Sequence, residues 1–178
     1  MSGTRRLVIL RHAKSAWPEG VPDHDRPLNR RGLRDAPAAG RWLGEAGRVP
    51  DLVLCSSARR TRQTWELAAA ELDGNPEPEV RYEPRLYAAD DDDLLDVVRE
   101  VAADVRTLLL VGHNPGLQEL ALLLAGEAAG DALERARTKF PTSGTAVLTW
   151  SGPWSALEPG AALLTDFVVP RGRREERS

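Results

Sequence analysis

In RRLVILRHAKSAW, Arg5 to Trp17, the apolar run Leu7-Val8-Ile9-Leu10 stops directly against Arg11-His12. A short, unbroken aliphatic run reads as a strand buried on both faces, here Arg6 to Leu10. A plain turn at its tip would use Gly, Asn or Asp. A cation beside an imidazole asks for a chemical reason, and two further strands supply it. Asp51-Leu52-Val53-Leu54-Cys55 ends in Ser56-Ser57, and Thr107 to Val111 ends in Gly112-His113-Asn114.

The intervening segments read as helices. Asn29 is placed to cap a helix that runs to Glu45, with Pro37 disturbing its start and Gly47 ending it. Ala58 to Leu72 and Asp90 to Val105 carry apolar residues on one face, and Leu117 to Leu124 is a fourth helix. Tyr82 to Ala88 reads as a short strand or irregular segment. Thr145 to Trp150 and Ala161 to Val169 read as an antiparallel edge hairpin. This alternation predicts an α/β fold: a three-layer sandwich, mostly parallel, with helices on both faces of the sheet. Ligands of such sheets sit beyond the carboxyl ends of the strands, so the three tips are expected to meet in one crevice.

With 178 residues the chain fits one domain, residues 1–170, followed by a charged, solvated tail, 171–178. The apolar share of 42% and charged share of 29% are those of an ordinary globular protein. A net charge of −3 argues against nucleic acid as the partner of the whole molecule. Cys55 is the single cysteine, which excludes an intrachain disulfide and suits a reducing compartment. No stretch has the length of a signal peptide core or membrane span, so a cytoplasmic, membrane-free protein is expected.

The second tip leads into Ser57-Ala58-Arg59-Arg60-Thr61-Arg62-Gln63-Thr64, which sets arginines in the first turn of a helix. Free N–H groups and the helix dipole favour anions there, and guanidinium forks hold a phosphoryl group in bidentate fashion. Cationic neighbours favour the neutral form of a histidine, so His12 would be poised to attack phosphorus. His113 would donate a hydrogen bond to the developing charge.

Leu10-Arg11-His12-Ala13 resembles the Arg-His-Gly signature of the histidine phosphatase superfamily, the phosphoglycerate-mutase-like fold. Ser57 to Thr64 resembles its second motif, Ser-Pro-x-x-Arg-Ala-x-Gln-Thr, and Val111-Gly112-His113-Asn114 its third. With Asp25-Arg26-Pro27-Leu28-Asn29-Arg30-Arg31-Gly32, the pattern is similar to the SixA-type phosphohistidine phosphatases. The resemblance covers about residues 6–150. It implies that His12 is the nucleophile that becomes phosphorylated, that Arg11 and Arg60 bind phosphate, and that His113 is the second catalytic histidine. It further implies that Arg26 reaches the phosphoryl group and that Asn114 adds a backbone N–H. Ala13 replaces the family's usual Gly. No residue matches the glutamate that acts as general acid in the mutase branch, although a carboxylate from Asp90 to Asp93 could stand in. An imidazole leaving group, with a conjugate-acid pKa near 6.5, needs little help to depart, whereas a sugar alkoxide needs a proton donor.

Other features have plainer readings. Arg59 and Arg62 suit an exposed basic face, and His24 a surface loop. Asp23-His24-Asp25 lacks the spaced partners of a metal site, so no metal or cofactor is expected. Asp90 to Asp93 suits a helix cap, and Cys55 inert packing. The tryptophans suit packing, apart from Trp17 just past the first motif. The expected function is therefore a cofactor-independent phosphatase acting on phosphohistidine of a signalling protein, such as a histidine-containing phosphotransfer domain. A small phosphorylated metabolite is the alternative substrate. A non-catalytic phosphate- or nucleic-acid-binding module is the alternative of another class.

Overall fold

The structure is a computed structural model that describes residues 3–173. In chain order the elements are β1 (Thr4–Arg11), α1 (Arg30–Glu45), β2 (Leu52–Ser56), α2 (Arg59–Ala69), β3 (Glu79–Glu83), α3 (Asp91–Arg99), β4 (Thr107–Gly112), α4 (Gly116–Leu124), β5 (Ala125–Ala128), α5 (Ala132–Thr138), β6 (Thr145–Ser151) and β7 (Ala162–Val168). They build one seven-stranded sheet of order β3-β2-β4-β1-β6-β7-β5. The strands β3, β2, β4 and β1 are parallel neighbours. β6 runs antiparallel to β1 and β7, and β5 is parallel to β7.

Side-chain alternation splits the core into two layers. Leu7 and Ile9 of β1 join Leu52, Leu54, Leu108 and Leu110 beneath the face covered by α3, α4 and α5. Val8 and Leu10 join Val53, Cys55, Leu109 and Val111 beneath Ala39 and Leu43 of α1 and Trp65 and Ala68 of α2. A strand buried on both sides needs apolar residues at every position, which is why these strands read as continuous runs.

The helix ends follow local chemistry. Asn29 caps α1 by accepting from the Gly32 N–H, and Pro37 lies inside the helix without ending it. Gly47, at φ +67°, takes the left-handed position after α1, where an L side chain would be strained. At α3 the Asp90 side chain accepts from the Asp93 N–H while Asp93 accepts from Asp90, a capping box.

Three readings need correction. The helix expected over residues 90–105 ends at Arg99. Val101 stays buried in a turn that returns the chain to β4, whose start is pinned by Asp51 accepting from the N–H groups of Arg106 (3.0 Å) and Thr107 (2.8 Å). Apolar spacing persists there because burial continues without helix. The β6–β7 hairpin is antiparallel as expected, but β5 lies outside it and forms the edge. β5 and α5 went unread because AGEA has little strand propensity and ALERART spans only two turns. Of the expected tail, Arg171 and Gly172 bond to the buried Asp35 of α1, and residues 174–178 lie outside the described residues. Among the described residues no helix is long and apolar enough to cross a membrane.

The two helices on the second face meet at Gly40, where an added Cβ would collide with the Ala68 carbonyl group of α2. Gly40→Ala should therefore destabilise the fold by about 1–3 kcal/mol through overpacking, against the gain of about 1 kcal/mol that helix propensity alone gives alanine. Urea unfolding checks this, and a raised midpoint would contradict the packing account.

Candidate active site

Register builds the site. Arg11 of β1 pairs with Gly112 of β4, so His12 and His113 stand level, one residue beyond the last pair. On the other side of β4, Cys55 of β2 pairs with Val111, which brings Ser56 level with Gly112. The two imidazole centroids lie 5.3 Å apart and their planes are tilted by 55°.

His12 is 7% exposed. Its N–H donates to the Gly112 carbonyl (3.0 Å), and its Nδ1–H donates to the Ala13 carbonyl (2.7 Å). A carbonyl can only accept, so Nδ1 carries the proton and Nε2 keeps its lone pair while the ring is neutral. Burial, reinforced by His113, Arg60 and Arg11, pushes the His12 pKa down to about 3. Ala13 is buried, donates its N–H to Thr64 Oγ1 (3.0 Å) and packs with Leu28 and Ala36. It is not among the non-glycine residues of positive φ, Ala88 and Ser143, so a methyl group in place of the family's glycine meets no left-handed strain.

His113 Nε2 lies 2.8 Å from Ser56 Oγ, while its Nδ1 is buried with no partner among the described residues. Ser56 Oγ accepts from the Ala58 N–H (3.4 Å). The Ser56 hydroxyl can donate to Nε2, which leaves the proton of a neutral His113 on Nδ1, or accept from it, which leaves that proton on Nε2. Burial and the charge of Arg60 push the His113 pKa down to about 3 as well.

The charges of Arg11 and Arg60 act on these rings, and Arg26 is joined to Arg60 through Asp23. Arg11 donates to the Phe140 carbonyl (3.0 Å), and its Nε is buried without a partner among the described residues. Arg60, in the first turn of α2, donates to the Asp23 carbonyl (2.7 Å) and to Asp23 Oδ2 (3.1 Å). Each of its terminal nitrogens keeps one further N–H. Arg26 donates to Asp23 Oδ1 (2.8 Å), to the Ala16 carbonyl (3.1 Å) and to the Ser15 hydroxyl. Its guanidinium carbon stacks 3.2 Å over the Trp17 ring centroid, and Trp17 is 77% exposed. Hydrogen bonds from Tyr87, Arg26 and Arg60 hold the Asp23 carboxyl well below the usual carboxylate range.

The structure thus brings His12, His113, Arg11 and Arg60 together at the ends of the β1, β4 and β2 strands, with Arg26 tied to Arg60 through Asp23. Asn114 is adjacent, but its side chain belongs to the turn: Nδ2 donates to the Phe140 carbonyl (2.8 Å) and Oδ1 accepts from the Gln118 N–H (3.2 Å). Asp90 and Asp93 bond each other at the start of α3. Arg59 and Arg62 are exposed, and Arg62 lies 5.2 Å from the Tyr82 ring. His24 is on a loop at the rim, 2.9 Å from Ser57 Oγ and edge-on to Tyr87.

Sequence alone gives no role in the site to Asp23, Tyr87, Ser56 or Ser143. Ser143, at φ 63°, donates its N–H to the carbonyls of both Arg11 and His12 (3.1 Å each), fastening the β1 tip to the start of β6. Asp23 offered one signal, its place three residues before Arg26; Tyr87 and Ser143 offered none. Among the described residues no group of three or more His, Cys, Asp or Glu could hold a metal ion.

Comparison with known proteins agrees with this geometry. The sequence model of the histidine phosphatase superfamily (branch 1) matches residues 7–139. An uncharacterized protein of Mycobacterium tuberculosis (strain ATCC 25618 / H37Rv) is 48% identical over 164 residues, covering 91% of this chain and 100% of the relative. Among solved structures, a candidate phosphohistidine phosphatase SixA from Nakamurella multipartitia superposes with a TM-score of 0.81 at 36% identity, covering 95% of this chain and 98% of that one. A candidate phosphohistidine phosphatase SixA from Agrobacterium tumefaciens gives 0.78 at 33% identity, covering 93% and 98%. With the superfamily model matched over residues 7–139 and these two structures aligned along nearly the whole chain, the chain belongs to the histidine phosphatase superfamily, branch 1, in its SixA-type branch.

Proposed function

We propose that this chain hydrolyses phosphohistidine on a signalling protein through a covalent intermediate on His12. The observation that carries the reading is the buried, neutral His12 with Nδ1 tied to the Ala13 carbonyl and Nε2 left to attack. The Nε2 lone pair forms a bond to phosphorus. The bond from phosphorus to the substrate nitrogen breaks, and its electron pair stays on the departing imidazole. The phosphorylated His12 ring becomes cationic, which the Ala13 carbonyl stabilises through Nδ1–H. Water then attacks phosphorus, the electron pair returns to Nε2 and orthophosphate leaves. Arg11, Arg60 and Arg26 neutralise the phosphoryl oxygens, His113 donates a hydrogen bond to them, and Asn114 adds its backbone N–H. Neither step needs a redox partner or a cofactor to balance.

The acids near the site favour this substrate class over an ester. Asp23 is held ionised, and Asp90 and Asp93 are engaged in a helix cap. These carboxylates offer no proton to an alkoxide, whereas a phosphohistidine already protonated on its other ring nitrogen departs as neutral imidazole without one. The buried single thiol of Cys55 fits a cytoplasmic setting for such a protein.

Phosphate release from phosphoramidate and from a phosphohistidine-bearing protein should exceed release from a panel of sugar and aryl phosphate monoesters, and His12→Ala should lower it by more than about 10³-fold. Faster release from one monoester would instead identify a metabolite phosphatase, and no release from any substrate would leave a phosphate-binding module. The pKa directions give a second test. Both histidines are depressed, so their rings stay neutral as pH falls through 6.5, and the fold loses stability only as the unfolded chain begins to bind those protons. In an NMR titration the ring signals of His12 and His113 should stay constant from pH 7.5 to about 5. Titration of either near 6.5 would contradict a pair held neutral.

A further inference from the structure

The mouth of the site holds a charge that the two-step reaction does not use. Asp23, on the 3-10 turn Asp23–Asp25, accepts from Arg26, Arg60 and the Tyr87 hydroxyl. Its side chain is 49% exposed, whereas His12 is 7% exposed. In-line displacement sets the leaving atom opposite the attacking nitrogen. Because His12 attacks from the buried floor, the leaving group faces the mouth, where Asp23, Tyr87 and His24 stand. Tyr87 ties this group to the site, with its ring 5.6 Å from that of His113 and 4.9 Å from that of His24.

A carboxylate beside a departing alkoxide opposes the reaction, since it adds negative charge where negative charge grows. Beside a departing imidazole the sign reverses. The reactive form of phosphohistidine carries a proton on the ring nitrogen that does not hold phosphorus. When the N–P bond breaks, its electron pair moves onto the ring, which leaves as neutral imidazole with that proton in place. An anion facing the N–H recruits this protonated form. The benefit lies in selecting the substrate rather than in breaking the bond, so it belongs to kcat/KM. The cations at the mouth do not cancel it. Arg26 and Arg60 both pair with Asp23 and would divide their charge between it and a bound phosphoryl group, and Arg26 is stacked on Trp17.

We propose that Asp23 determines specificity by the charge of the leaving group, accepting a hydrogen bond from the ring N–H of a protonated phosphoimidazole and disfavouring anionic leaving groups. This rests on the phosphohistidine reading above. Tyr87 then acts as a positioning residue whose hydroxyl fixes the direction of the carboxylate. The ionised state of Asp23, set by Tyr87, Arg26 and Arg60, is consistent with it.

The test compares kcat/KM for a phosphohistidine-bearing peptide with kcat/KM for p-nitrophenyl phosphate, whose leaving group is anionic and needs no proton. Asp23→Asn keeps size and one acceptor but removes the charge; Asp23→Glu keeps the charge. Asp23 is half exposed on a loop, so both variants should fold, and Asp23→Glu serves as the control. The ratio of peptide to ester turnover should fall about tenfold or more in Asp23→Asn, the size of one charge-assisted hydrogen bond, and should be largely kept in Asp23→Glu. Equal losses on both substrates in Asp23→Asn would overturn the proposal and leave Asp23 as a positioning residue for the arginines. A wild-type protein that cleaves the ester but not the peptide would overturn the phosphohistidine reading itself, and this proposal with it.

Discussion

The parallel register of β1 against β4 is the constraint on which the site depends. Neighbouring strands lie about 4.8 Å apart, and the pairing of Arg11 with Gly112 puts His12 and His113 level beyond the sheet. The ring separation of 5.3 Å follows from that spacing. A slip of one residue would turn one imidazole to the opposite face of the sheet and would also exchange the core residues of that strand between layers. Packing of Leu7 and Ile9 against one helical layer, and of Val8 and Leu10 against the other, therefore holds the catalytic geometry.

Electrostatics then divides the site by depth. On the floor, the buried His12 and the half-buried His113 are held neutral by desolvation and neighbouring guanidinium groups, and His12 keeps a free lone pair on Nε2. A phosphoryl group meets arginines whose charge does not vary near neutral pH. At the mouth, Asp23 takes up part of that positive charge and directs Arg26 and Arg60. The same carboxylate, held ionised, is not an acid, which fits the proposed preference for a leaving group that needs no proton from the protein.

Much of this was legible in sequence because it is local. His12, Arg11 and His113 lie immediately beyond apolar runs, and Arg60 lies in the first turn of a helix after a third run; strand tips in a parallel sheet converge by rule. The residues that were missed depend on contacts between distant loops. Asp23 meets Arg60 across 37 positions and Tyr87 across 64. Ser143 reaches the His12 carbonyl from just before β6 through a left-handed backbone that no residue type announces. Arg26 was identified by resemblance alone, and its stacking on Trp17 explains how an arginine from a long loop is held in place. β5 escaped notice because the edge of a sheet imposes little demand on composition.

The central claim is the covalent step on His12. Rapid quenching of the protein with a phosphohistidine-bearing peptide labelled in its phosphoryl group, followed by peptide mapping, tests it directly. The account predicts label that is stable to alkali, lost in acid and confined to the fragment containing His12. Label on another residue, or turnover with no protein-bound phosphate at any quench time, would contradict it.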